Sequence, residues 1–156
     1  MIITYAFYKA TAPRADWTDK VIAWWTKGPY SHMEIIIDGN MYSSSPRDGK
    51  VRSKVHKWDN DTWDYIDVEI DLKDAQRIKM FYEKTKGHNY DWFGILGFVL
   101  PVHDSEKKYF CSEWGSKASI IGGVSCFYDK NPSRISPNRA ARILHEEGGY
   151  EFVRKN

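Results

Sequence analysis

Cysteine is scarce in this 156-residue chain: only Cys111 and Cys126 occur, and no C-x-x-C pair is present. A disulfide framework or a zinc site of ordinary spacing therefore has no basis in the sequence. Two isolated thiols fit a reducing compartment and leave one free to act as a nucleophile. Excess charge is missing too, since 23 basic against 21 acidic residues leave a formal net charge of +2. That balance argues against a dedicated nucleic-acid binder, and scattered groups such as Lys107-Lys108 and Arg134, Arg139, Arg142 read as solvated surface. Long apolar runs are absent. The stretch Phe93 to Val102 is far too short to span a bilayer, so no membrane span is expected. The first residues lack the basic start, apolar run and cleavage site of a signal peptide, so a cytoplasmic protein as synthesised is expected, which leaves later delivery open. No P-loop, dinucleotide fingerprint, G-x-S-x-G or H-E-x-x-H pattern occurs.

What is present is globular in character, with 42% hydrophobic and 28% charged residues. The 7 Trp and 10 Tyr are enough to fill a core and also line a cleft. Without a linker, repeat or low-complexity tract, residues 1–156 read as a single domain of α+β type. Ile2 to Phe7 predicts a strand. Asp16 to Lys27 predicts a helix capped by Asp16, with Val21, Ile22, Trp24 and Trp25 as its apolar face. Ser31 to Asp38 predicts a strand with Met33, Ile35 and Ile37 on one face and His32, Glu34 and Ile36 on the other. Asp38-Gly39-Asn40 is hairpin-turn chemistry returning through Met41 to Ser45, and Pro46-Arg47-Asp48-Gly49 turns again into a strand at Lys50 to Val55. A strand follows at Tyr65 to Ile70, then a helix at Leu72 to Lys86 with Ala75, Ile78, Phe81 and Tyr82 inward and Gly87 as its stop. Asp91 to Leu100 is a short helix or a packed loop. Phe110 to Ile121 predicts a helix, Pro137 to Glu146 another with Ser136 as N-cap, and Tyr150 to Arg154 a last edge strand.

Cys111 falls at the very start of its helix, where the dipole and unpaired N–H groups favour a thiolate. His32 opens a strand at the edge of the sheet. A lone thiol and an imidazole on a rigid strand are the minimum for activating a cysteine. The other histidines compete poorly: His56 lies in a polar stretch, His88 follows a helix stop, and His145 sits in an acidic helix end. His103-Asp104 has no second metal-binding pair to support it.

The segments Tyr30-Ser31-His32-Met33-Glu34-Ile35, Gly87-His88-Asn89-Tyr90-Asp91, Tyr109-Phe110-Cys111-Ser112-Glu113 and Ile135-Ser136-Pro137 together resemble the permuted NlpC-type papain-like cysteine amidohydrolases (the YiiX/YaeF-like group). The His strand comes first and the Cys helix last, the reverse of the ordinary order. The resemblance implies a papain-like fold, an antiparallel sheet packed against helices, with Cys111 as nucleophile and His32 as general base. It also places Tyr90 where a tyrosine lines the active site, either helping the oxyanion or simply packing. The free backbone N–H of Cys111 is the better oxyanion donor.

Relatives orient the imidazole with a third polar residue, often from the strand after the His strand. Here that stretch is Tyr42-Ser43-Ser44-Ser45. A two-residue turn pairs Glu34 with Ser43 and His32 with Ser45, whereas a three-residue turn sets Ser44 opposite Glu34. Glu34 shares a face with His32 and is the candidate orienter, the alternative being a solvent-facing strand residue. Glu113 is a candidate cap for the Cys helix. The expected chemistry is acyl transfer to water through a thioester, with no metal or organic cofactor. A peptide or acyl substrate is expected as partner: amide bonds of peptides, including cell-wall peptides, come first, then lipid acyl esters or thioesters. A non-catalytic binding module retaining the fold is the rival reading, and the sequence does not set an oligomeric state.

Overall fold

The computed structural model describes residues 1–91 and 108–156. Among them lie eight strands in one mixed sheet, ordered β7-β6-β4-β3-β2-β1-β5-β8, and four α-helices. The strands are β1 (Ile2–Lys9), β2 (Tyr30–Ile37), β3 (Asn40–Ser45), β4 (Lys50–Val55), β5 (Trp63–Glu69), β6 (Asn89–Tyr90), β7 (Lys108–Tyr109) and β8 (Phe152–Val153). The helices are α1 (Trp17–Trp25), α2 (Leu72–Thr85), α3 (Cys111–Ile121) and α4 (Pro137–Arg142), the last running on into a π-helical turn over Ile143–Glu147. All neighbouring strands are antiparallel except β6 and β7. The predicted segment after Asp91 and the His103-Asp104 pair lie outside the described residues.

β1 and β2 are almost continuously buried, because both faces of this part of the sheet are covered. One face carries the main core: Ile3, Tyr5 and Phe7 of β1 and Met33, Ile35 and Ile37 of β2 pack with Trp114 and Ala118 of α3 and with Ile143 and Leu144. The other carries a smaller cluster of Ala6, Ile36 and Tyr65, with Met41, Trp63 and Val153 against it. The period-of-two assignment along β2 thus separates the two layers, but Glu34 is buried rather than facing solvent. β2 is an interior strand between β1 and β3, not the sheet edge that the sequence suggested for His32.

Asp38 and Gly39 both take positive φ, 48° and 74°, as a two-residue hairpin turn requires. The resulting register is Ile37 to Asn40, Ile36 to Met41 and Ile35 to Tyr42, the pairing expected for the shorter turn. α2 ends before Gly87, whose φ is 83°. Ser136 caps α4 by accepting from the Arg139 N–H at 3.1 Å. α1 starts in a capping box formed by Asp16 and Asp19. Its packing corrects part of the sequence expectation, however: Ile22 faces inward as expected, with Ala23 beside it, whereas Val21, Trp24 and Trp25 are exposed. Among the described residues, no helix is long and apolar enough to cross a membrane.

Candidate active site

Ser31 is the extra residue of a bulge in β2: Tyr8 pairs with His32, but the next β1 residue, Lys9, pairs with Tyr30. On a regular strand Tyr30 and His32 would share a face. The bulge instead lets Tyr30 pack into the helix-side core against Phe7, while the His32 ring turns toward Trp63 in the other layer. Two side chains pin the bulge. The Ser31 hydroxyl donates to Asp19 Oδ1 at 2.7 Å. Asn138 brackets Tyr30, accepting from its N–H at 2.9 Å and donating to its carbonyl at 2.8 Å. Gly28 is what lets Asn138 come so near, since a Cβ there would lie 2.3 Å from Asn138 Oδ1.

β3 parts from the β2 ladder beyond the Ile35–Tyr42 pair, and its serines anchor the split. The Ser43 hydroxyl donates to the Met33 carbonyl at 2.9 Å, and the Ser44 hydroxyl donates to the Tyr109 carbonyl at 2.6 Å, two residues before Cys111. The start of α3 is thereby fixed beside the start of β2. Gly115, one turn along α3, permits the approach, because a Cβ there would come 2.7 Å from Met33 Cε.

Cys111 is buried at the first position of α3. Burial pushes its thiol up. The charge and hydrogen bond of the His32 ring, then the backbone N–H groups of Met33 and Ser112, outweigh this and bring it below its usual range. Burial likewise disfavours the charged His32 ring. The Cys111 thiolate, followed by Glu34, overrides it and raises the ring to about 9. His32 Nε2 meets Glu34 Oε1 at 3.0 Å. Nδ1 is buried with no well-formed hydrogen bond among the described residues, and the ring interacts with the Cys111 thiol.

Glu34 is 2% exposed, a position a lone carboxylate would not hold in ionised form. Its compensation comes from β4. Arg52 donates through both terminal nitrogens, Nη1 to Oε2 at 2.8 Å and Nη2 to Oε1 at 2.7 Å. Burial would raise the Glu34 carboxyl, but the Arg52 hydrogen bonds and then His32 draw it down to about 2. Arg52 Nε in turn donates to Asp48 Oδ2 at 2.8 Å, and Lys54 Nζ to Asp48 Oδ1 at 2.6 Å. The polar chain therefore runs from the thiol through His32, Glu34 and Arg52 to Asp48. Sequence reasoning missed Arg52. The signal was available in the two successive turns, which set Arg52 opposite Ser43 and so one strand beyond Glu34.

Tyr90 ends β6, buried, beside Tyr109 of β7. Burial and then the Cys111 charge push its phenol well above the ordinary range, and its hydroxyl accepts the Cys111 backbone N–H. Tyr90 thus lies at the thiol, and it engages the N–H expected to serve as the oxyanion donor. Glu113 pairs with Lys117 at 2.8 Å within α3.

The other described histidines have contacts of their own. His56 meets the Tyr65 hydroxyl at 3.0 Å, His88 stacks on Tyr109, and His145 bonds the Tyr150 carbonyl. Cys126 is half-buried, and burial raises its thiol. A pocket of about 160 Å³ opens beside His32 and Glu34, with Tyr8, Met41 and Trp63 as apolar wall and Arg47 and Lys54 as half-exposed cations. No family model matches the chain, and no curated protein matches it significantly.

Proposed function

We propose that this chain is a cysteine hydrolase of papain-like type, in the permuted NlpC arrangement, that cleaves amide bonds of peptides through a thioester. The observation that carries the reading is the His32 ring, held by a buried, ionised Glu34 on one side and next to a thiol of lowered pKa on the other. A structural histidine has no need of a buried carboxylate locked by an arginine, whereas an imidazole that must carry charge during a reaction does.

The Cys111 thiolate attacks the substrate carbonyl carbon, and the C–S bond forms as the carbonyl electrons move to oxygen. His32, as imidazolium, gives its proton to the leaving nitrogen as the C–N bond breaks. Water then attacks the thioester carbon while His32 takes its proton; the C–S bond breaks, the carboxylic acid leaves, and the Cys111 thiolate and the His32 imidazolium are restored. Glu34 stabilises the imidazolium throughout. Tyr90 borders the region where the oxyanion develops.

An activated acyl ester, p-nitrophenyl acetate, tests the reading when followed by mass spectrometry of the intact protein and its peptides. An acetyl group confined to Cys111, released on further incubation, is the expected result. Hydrolysis unchanged in Cys111→Ala would remove the proposal.

A further inference from the structure

We propose that α1 is a docking face for an anionic bilayer surface. Trp17, Val21, Trp24 and Trp25 are spaced i, i+4, i+7 and i+8, so they form one stripe on the helix. Ile22, Ala23 and the inward-bonded Asp19 occupy the other side. The stripe is the outer surface: Trp17 is 75% exposed, Trp24 78%, Val21 45% and Trp25 44%. Such a grouping of tryptophans on the solvent side is the reverse of what packing needs, and it holds three of the chain's seven.

The charges around the stripe choose the occupant. Lys20 lies on its flank and Lys27 just beyond its C-terminal end, both exposed and neither paired with an acid among the described residues. The helix acids are otherwise engaged: Asp19 is tied to Ser31 and Arg47, and Asp16, although exposed, caps the Asp19 N–H. Tryptophan rings flanked by free lysines on a short surface helix match the interfacial layer of a bilayer, where the ring sits among headgroups and the ammonium meets lipid phosphate. A second copy would bring the two lysine pairs together in a self-complementary contact. A nucleic acid would need a longer cationic track than two lysines on a convex helix.

Flotation of the full chain with vesicles tests this directly. Vesicles of phosphatidylcholine with about a third phosphatidylglycerol should carry the protein, and pure phosphatidylcholine vesicles should carry at least about tenfold less. Trp17→Ser with Trp24→Ser, and separately Lys20→Glu with Lys27→Glu, should each lower binding to the anionic vesicles by about tenfold or more. All four side chains are surface groups, and the charge variant leaves every tryptophan in place, so a folding failure of the first variant would not decide the matter. Three results would overturn the proposal: a parent chain that stays unbound, vesicle binding unchanged in both variants, or competition showing single-stranded DNA as the tighter ligand. A parent dimer that falls apart in the tryptophan variant without vesicles would also overturn it, in favour of a second copy.

Discussion

Arg52 grips both oxygens of Glu34, at 2.8 and 2.7 Å, from β4 across β3. The geometry is the two-pronged one in which arginine binds a carboxylate most strongly. It keeps Glu34 ionised in a position where burial alone would neutralise it, and it fixes the carboxylate plane that His32 Nε2 meets.

Arg52→Met should therefore leave a buried carboxylate without its countercharge and destabilise the fold by about 3–5 kcal/mol. Urea unfolding measures it. The double variant Arg52→Met, Glu34→Gln should recover part of that loss, because the stranded charge is gone; strict additivity of the two losses would show that the pair is not coupled.

Thiol reactivity should separate the two cysteines. Near pH 7 iodoacetamide is expected to label Cys111 at least about tenfold faster than Cys126, since one thiol is drawn below its usual range and the other is raised by burial. His32→Ala should erase most of that difference. Equal labelling of both thiols in the parent protein would contradict the ion-pair description.

The pH dependence has a definite sign on each side. His32 is raised from 6.5 to about 9, so its contribution to stability is fully present below 6.5 and is lost as pH rises through about 9. Glu34 is lowered from 4.5 to about 2, so its contribution is present above 4.5 and is lost as pH falls through about 2. Turnover of an activated ester should show an alkaline limb near pH 9. Thermal unfolding of Glu34→Gln should lose the parent's steep weakening between pH 4.5 and 2.

Glu34 and Ser44 should behave differently when replaced. Glu34→Gln keeps the shape but removes the charge facing the imidazolium, and a loss of roughly ten- to a thousand-fold in ester turnover is expected. Ser44→Ala removes the hydrogen bond to the Tyr109 carbonyl, costing about 1–3 kcal/mol of stability with a smaller effect on turnover. Parent-like turnover in Glu34→Gln, together with impaired Ser44→Ala, would move the orienting role to β3.

Much of the architecture was legible without coordinates because it rests on local rules. The turn residues at Asp38-Gly39 dictate a two-residue hairpin and with it the register of β2 and β3. Alternation along β2 assigns Met33, Ile35 and Ile37 to one layer and Glu34 and Ile36 to the other. The placement of Cys111 at a helix start and of Glu34 near His32 follows from the same periodicities. Other features depend on what the rest of the chain brings alongside. The burial of Glu34 and its pairing with Arg52 require β4 to lie beyond β3 from β2, and the bulge at Ser31 is held by Asp19 of α1 and Asn138 of α4. Helical spacing grouped Val21, Ile22, Trp24 and Trp25 on α1 but could not say which of them meet the protein, because hydrophobicity draws a face toward any apolar surface. Only the tertiary packing showed that Ile22 and Ala23 fill that contact and leave the tryptophans outside.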